Sequence, residues 1–186
     1  MSRASFTAPF GEQMQDDRIR VWDPLVRLFH WSLVGGFTVA YVTADEWDKA
    51  HERFGYIVAG LIAFRLFWGL VGSRHARFSD FLYRPSTIVA FVKDSLAMKG
   101  RRYVGHNPAG GAMVIALLLA IAGISATGYM MTTDMFWGAE WVENVHELLV
   151  NGTLLLIVLH VGGVILASVE HKENLVRSMI TGLKRH

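Results

Sequence analysis

The sequence predicts an all-α integral membrane protein built as a four-helix bundle. Three observations indicate this class. The 186 residues are 52% hydrophobic and only 18% charged, whereas average soluble domains are about 45–50% apolar and about 25% charged. Four segments are apolar over roughly the 20 residues that a helix needs to cross a bilayer. The short alternating strands of a membrane barrel are absent from the sequence.

The four predicted spans differ in polar content. They cover residues 25–44, 54–72, 111–131 and 148–169. The first span contains Arg27 and His30, and the second contains Arg65 as its only charge. The third has no charge, and the fourth has Asn151 and His160 as its most polar members. Charges inside spans are costly, so these few residues are candidates for function.

The positions of Lys and Arg predict the orientation of the spans. Basic residues concentrate before the first span, in the loop 73–110 and in the tail after residue 171. Because basic loops stay in the cytoplasm, we expect both termini and this loop to be cytoplasmic. The chain then divides into a cytoplasmic N-terminal segment, residues 1–20, with no visible cleavable signal peptide, and a membrane domain, residues 21–186.

The opposite, outer face is predicted to be acidic. It holds eight acidic side chains but only two basic ones, Lys49 and Arg53, for a formal charge of −6. Exclusion of basic residues from translocated loops accounts for this pattern. The alternative is a docking patch for a basic soluble partner. The small net charge of +2, distributed in this way, does not indicate nucleic-acid binding.

Two patterns mark the membrane surface. Residues 85–98 begin with a Pro-Ser-Thr helix-start signal and set apolar side chains against Lys93 and Asp94. This predicts a short amphipathic cytoplasmic helix. The six tryptophans lie near the span ends, which is typical of an aromatic belt.

Four of the eight histidines lie within the spans or at their ends: His30, His51, His146 and His160. His146 and His160 are fourteen residues apart, so they share one helix face and lie roughly 21 Å apart along it. Successive spans alternate in direction. This places His51 and His146 near the outer surface, as an outer pair, and His30 and His160 in the inner half, as an inner pair.

Two imidazole pairs at two depths predict two haems. Each pair comes from two helices, as a six-coordinate haem inside a helix bundle requires. The chain has no cysteine, which excludes disulfides, Cys-ligated clusters and covalent haem attachment. Axial ligation and packing must then hold two haem b groups. A proton or metal-ion pathway is the alternative, but it would need Asp or Glu near midplane, and the spans contain none.

Arg65 is predicted to pair with a propionate of the inner haem. It follows His51 by fourteen residues, so it lies on the same helix face and roughly 21 Å deeper. A cation at that level would satisfy a propionate carboxylate. The alternative is an arginine whose side chain extends to the inner lipid headgroups.

The motifs around these residues resemble those of bacterial cytochrome b561, in the superfamily that includes the cytochrome b subunits of nickel–iron hydrogenases. The resemblance runs from about residue 20 to the end of the chain. Its segments are Val21-Trp-Asp-Pro-Leu-Val-Arg-Leu-Phe-His30-Trp31, His51-Glu-Arg-Phe-Gly-Tyr56, Arg65-Leu-Phe-Trp-Gly69, Gly105-His-Asn-Pro-Ala-Gly110, and His146-Glu-Leu-Leu-Val-Asn151 leading to His160. The resemblance implies a diheme core with His30, His51, His146 and His160 as axial ligands.

The resemblance also implies electron transfer between a redox partner and membrane quinone, in the inner membrane of a bacterium. The leading hypothesis is an electron-transfer subunit whose partner is a periplasmic c-type cytochrome or a dehydrogenase or hydrogenase subunit. A homodimer of the chain is compatible with this hypothesis. With only four spans, the chain fits a compact member better than many hydrogenase subunits. The alternatives are a stand-alone superoxide:quinone oxidoreductase, which a cationic funnel at the outer haem would favour, and an ion transporter without haem.

His106 is a weaker candidate at the inner end of the third span. Its position predicts contact with an inner propionate or a quinone headgroup, and histidine can exchange protons near neutral pH. The alternative is a helix-start residue near lipid phosphates.

Overall fold

The computed structural model describes residues 18–185, which form six α-helices and a two-stranded antiparallel sheet. The helices are α1 (Pro24–Val42), α2 (Asp48–Val71), α3 (Pro85–Leu96), α4 (Pro108–Met131), α5 (Glu140–Glu170) and α6 (Leu175–Thr181). The strands are β1 (Arg18–Arg20) and β2 (Leu183–Arg185), and two 3-10 turns follow α2. The first seventeen residues of the predicted N-terminal segment lie outside the described residues.

Four of these helices, α1, α2, α4 and α5, are long and apolar enough to cross a membrane, which confirms the four predicted spans. All four begin earlier than predicted, and α2 and α5 do so by more than one helical turn, at Asp48 and Glu140. Acidic side chains in a first turn are stabilised by the positive end of the helix dipole. The helices therefore continue through polar turns that do not belong to the apolar segments.

The helices α1 and α4 begin in the same way. Asp23 Oδ1 accepts a hydrogen bond from the backbone N–H of Val26 at 2.8 Å, and Asn107 Oδ1 accepts one from Gly110 at 2.7 Å. A proline follows each N-cap, where its missing N–H and fixed φ are no disadvantage.

The two starts are close together, because Trp22 before α1 packs against His106 before α4. Arg27 on α1 contacts α6, and Tyr83 before α3 contacts His106. We call this region, with β1 and β2, the termini end.

The long helices pack as two hairpins, α1 with α2 and α4 with α5, joined by contacts between α2 and α4. The buried core lies between α1, α2 and α4 and consists of Phe29, Val58, Ile62, Leu118 and Ile121. Among the described residues, α1 and α5 share no packing of comparable extent. The side chains of α1 and α5 can therefore face a common interior without being in contact.

The termini end is closed by short elements. β1 pairs with β2, with Arg18 opposite Arg185, which joins the two ends of the described chain. The helix α3 occurs where a helix was predicted and packs against α4 and α5, with Phe91 and Ser95 buried. Its placement on a membrane surface stays a prediction.

Trp22 does not belong to an aromatic belt, contrary to the interpretation of the sequence, because it is only 8% exposed. Trp68 is half-buried at the end of α2, and its Nε1 donates to Asp23 Oδ2 at 3.3 Å. The other four tryptophans are exposed, as a membrane-interface position requires: Trp31, Trp47, Trp137 and Trp141.

Candidate functional site

The rings of His51 and His146 lie close together, edge-on, at the end of the bundle opposite the termini. Their ring centroids are 6.3 Å apart. Nδ1 of His51 lies 2.8 Å from the carbonyl oxygen of Ala40. Because a carbonyl only accepts, we assign the proton of His51 to Nδ1, which leaves the lone pair of Nε2 free to bind a metal.

Thr127 on α4 gives His146 the same tautomer. Its Oγ1 lies 2.9 Å from Nδ1 of His146. The hydroxyl also donates to the backbone carbonyls of Gly123 and Ile124, at 2.9 and 3.0 Å. Since its one proton is directed to the backbone, Oγ1 accepts the Nδ1 proton of His146. Metal-binding histidines are commonly oriented by such a hydrogen bond at the other ring nitrogen.

The inner pair lies on α1 and α5, which lack extensive mutual packing within residues 18–185, as do α2 and α5, the helices of the outer pair. His30 and His160 are both half-buried. The ring of His30 packs edge-on against Trp31, with centroids 5.1 Å apart. Nδ1 of His30 is buried without a hydrogen-bond partner among the described residues. A buried polar atom usually has a partner, so this ring can serve a bound group.

Arg65 is buried inside the bundle, with 3% of its surface exposed. Its Nη2 donates to the carbonyl of Ala76 at 3.0 Å, and its guanidinium carbon lies 4.9 Å from the Phe78 ring centroid. Both contacts are with the segment after α2, so the side chain does not extend to lipid headgroups. Nη1 is buried and has no partner within residues 18–185, which leaves a donor for a carboxylate.

A family model described as prokaryotic cytochrome b561 matches residues 21–182. The chain belongs to the prokaryotic cytochrome b561 family. The match includes all four spans and all four paired histidines. This cytochrome is therefore a haem-binding b-type cytochrome of the bacterial membrane, and it takes part in electron transport.

Three relatives carry the name probable Ni/Fe-hydrogenase B-type cytochrome subunit. The protein of Rhodobacter capsulatus is 24% identical to this cytochrome over 88% of the chain and 80% of its own length. The Bradyrhizobium diazoefficiens protein is also 24% identical, over 88% of the chain and 85% of its own length. The protein of Rhizobium leguminosarum bv. viciae is 22% identical over 92% of the chain and 91% of its own length. No solved structure matches.

The outer pair of the cytochrome fits the axial positions of a haem. Two imidazole nitrogens, each about 2 Å from one metal ion, would place the ring centroids roughly 6 Å apart, close to the 6.3 Å separation of His51 and His146. No three His, Asp or Glu side chains in the described part of the chain group to hold a metal ion. A porphyrin would supply the ligands that these two side chains do not.

Glycines beside two of the histidines leave room for a flat group. Gly55 follows His51 by four residues and Gly163 follows His160 by three, so each shares a helix face with its histidine. A Cβ at either glycine would meet nothing within 4 Å. Gly128 differs, because a Cβ there would lie 3.3 Å from Cε1 of His146. That glycine lets α4 approach α5.

His106 lies in the loop before α4. Its ring sits between Trp22 and Phe81, with centroid distances of 4.6 and 4.5 Å. Burial, together with the positive charges of Arg65 and Lys184, lowers the pKa of His106 to about 3, so the ring is neutral at physiological pH. Asn107 is the N-cap of α4, so the alternative of a helix-start residue near lipid phosphates does not describe His106.

Two threonines near the paired histidines did not stand out in the sequence. Thr127 orients His146, as described above. Thr153 is fully buried, and its Oγ1 has no hydrogen-bond partner among the residues described. It lies seven residues from both His146 and His160, hence on the same face of α5. For Thr153 the available signal was a hydroxyl in an apolar span, seven residues from a histidine on either side.

Proposed function

We propose that this cytochrome carries two haem b groups and transfers electrons between a periplasmic redox partner and the membrane quinone pool. His51 and His146 would hold the haem near the periplasm, and His30 and His160 would hold the haem near the cytoplasm, where both termini would lie. The 6.3 Å separation of the His51 and His146 rings, with both Nδ1 atoms directed to acceptors, is the observation that carries the proposal. Bound haem iron supplies one-electron redox chemistry.

The protein side chains hold and tune these groups. Ala40 and Thr127 accept the Nδ1 protons of the outer histidines, which fixes the rings and makes Nε2 more basic. Arg65 donates its free edge to a propionate of the inner haem. An unpaired buried carboxylate would cost several kcal/mol, and a fixed guanidinium removes that cost.

His106 is proposed to contact an inner propionate or a quinone headgroup. A neutral imidazole can donate one hydrogen bond and accept another, and the low pKa of His106 keeps it in this form. Slower quinone reduction in His106→Ala, at unchanged haem content, is the expected result. Unchanged kinetics would reject this role.

The acidic outer face is the proposed docking surface for a basic electron-transfer protein. The names of the relatives point to a Ni/Fe-hydrogenase subunit as the partner. A c-type cytochrome or another dehydrogenase subunit would need the same acidic surface to dock. The loop between α4 and α5 exposes Met135 by 83% and Trp137 by 79%. Apolar side chains surrounded by charges are typical of an interface with an apolar centre and a polar rim. The acidic side chains are Asp45, Glu46, Asp48, Glu52, Asp134, Glu140, Glu143 and Glu147.

A reconstituted system tests this function. The cytochrome in liposomes with quinol should reduce an oxidised, basic c-type cytochrome added outside, at a rate that falls steeply with salt. The double change Glu143→Lys and Glu147→Lys should slow this reduction about tenfold at low salt. Asp94→Lys, an exposed change on α3, is the matched control. A rate that neither salt nor the double change alters would contradict the docking proposal.

Oxidation of superoxide to dioxygen, with quinone as the electron acceptor, is the second candidate. Lys49 and Arg53 both line a shallow cavity of about 460 Å³ beside His51, and these cations favour an anion there. Glu46 and Asp48 line the same cavity and oppose an anion, so this candidate is second. Superoxide consumption by the purified cytochrome, lost in Lys49→Gln with Arg53→Gln, would replace the partner-based proposal.

A further inference from the structure

The surface between α1 and α6, at the termini end, contains a cavity of about 280 Å³. Arg27 is the charged residue of its lining, and the others are Pro24, Leu28, Trp31, Met179 and Ile180. Leu28 is 65% exposed and Ile180 is 60% exposed. The cavity therefore has an apolar rim on the outside of the bundle, where lipid would cover a span.

Arg27 is a fixed cation with unused donors. Its Nη1 donates to the carbonyl of Ile180 at 2.8 Å, which holds the guanidinium between the two helices. Its Nε is buried and has no hydrogen-bond partner in the described part of the chain. A guanidinium has five N–H donors, so most of them remain for a ligand.

The acidic side chain nearest to Arg27 along the chain bonds to other groups. Asp23 lies four residues earlier on α1, but its carboxylate accepts hydrogen bonds from Val26, Trp68 and Ser73. These bonds lower the pKa of Asp23 although its burial acts in the opposite direction. No ion pair joins Arg27 to a carboxylate within residues 18–185. A positive charge is therefore held in an otherwise apolar cavity.

We propose that this cavity binds the anionic headgroup of a membrane phospholipid. The N–H groups of arginine match phosphate oxygens in geometry and charge. Basic pockets beside membrane helices bind anionic lipid headgroups, and Trp31 is exposed where an interfacial tryptophan contacts the headgroup region. The acyl chains lie along Leu28 and Ile180. The lipid thus connects α6 to the helix that carries His30, and the inference does not depend on the haem assignments.

Native mass spectrometry of the full chain tests this site, with phosphatidylglycerol and phosphatidylcholine as probes. We expect about tenfold preferential retention of one phosphatidylglycerol per chain. Arg27→Gln should abolish the preference, whereas Arg177→Gln, an exposed change on α6, should keep it. Ile180→Trp, which fills the cavity and leaves Arg27 in place, should also abolish it. Gel filtration and circular dichroism verify the fold of each variant.

Three results would overturn the proposal. Equal retention of the two lipids by the unmodified chain would remove the preference for an anion. A preference that survives both Arg27→Gln and Ile180→Trp would place the lipid elsewhere. Displacement of the lipid by millimolar inorganic phosphate would show that the site takes free phosphate, since phosphate lacks the acyl chains that the apolar rim requires.

Discussion

Oγ1 of Thr127 lies 2.9 Å from Nδ1 of His146, so a hydroxyl on α4 fixes the imidazole of a proposed haem ligand on α5. The same hydroxyl donates to the backbone one turn earlier on α4. The ligand is therefore oriented by a neighbouring helix, and the packing of α4 on α5 determines the position of its Nε2.

Thr127→Val should weaken haem binding at the outer pair. Valine has nearly the same shape but cannot accept the Nδ1 proton of His146. Loss of such a partner typically costs 10–100-fold in metal affinity. A less basic imidazole also favours the reduced iron, so the midpoint potential of the haem that remains should rise. Haem titration and redox titration measure the two effects.

Thr127→Ser is the control for that change, because serine keeps the hydroxyl. Its affinity and potential should remain close to those of the unmodified chain. If Thr127→Val and Thr127→Ser behave alike, the hydroxyl does not orient His146.

Arg65→Leu should lower the potential of one haem by about 50 mV, because removal of a nearby cation disfavours the electron-rich state. Arg65→Lys keeps the charge and should restore most of the potential. Arg74→Leu removes an exposed cation of the following segment and serves as the control. Potentials must be compared at full haem loading. If both midpoints stay unchanged in Arg65→Leu, the propionate assignment is wrong.

The cytochrome should lose stability as the pH falls below about 6.5, in part because of His106. Its pKa is about 3 in the folded state and about 6.5 in an unfolded chain. Between these values the unfolded state binds a proton that the folded state does not, so each pH unit costs up to about 1.4 kcal/mol. The charges that act on this ring are Arg65, Lys184, Asp80 and His75.

Thermal unfolding of His106→Gln, followed between pH 7 and pH 4, checks this prediction. Glutamine is neutral and does not titrate, so the variant should lose less stability on acidification than the unmodified chain. Equal slopes of melting temperature against pH would show that His106 does not contribute.

The spans could be predicted from the sequence because a run of about 20 apolar residues has few other uses. The placement of the histidines on shared faces followed from helix geometry alone. Helix starts were less accurate, since Asp48 and Glu140 are polar and resemble loop residues. The early starts show that helix geometry continues beyond the apolar segment.

Other features required the three-dimensional structure. The pairing of β1 with β2 joins residues from the two ends of the chain, and three-residue strands have no visible periodicity. The role of Thr127 depends on which helix lies beside α5. Trp22 resembled an interfacial tryptophan because the sequence shows that it lies close to a span. The sequence does not show that its side chain is buried against His106. Contacts between distant segments cannot be read from local patterns.

Haem content of single-histidine variants tests the central claim most directly. His146→Ala should remove one haem per chain and leave the second as a low-spin, six-coordinate haem, because His30 and His160 are untouched. His160→Ala should do the same for the inner haem and spare His51 and His146. Pyridine haemochrome analysis with low-temperature spectra would measure both number and spin state. Two low-spin haems in His146→Ala, or a single haem in the unmodified cytochrome, would contradict the proposed pairing.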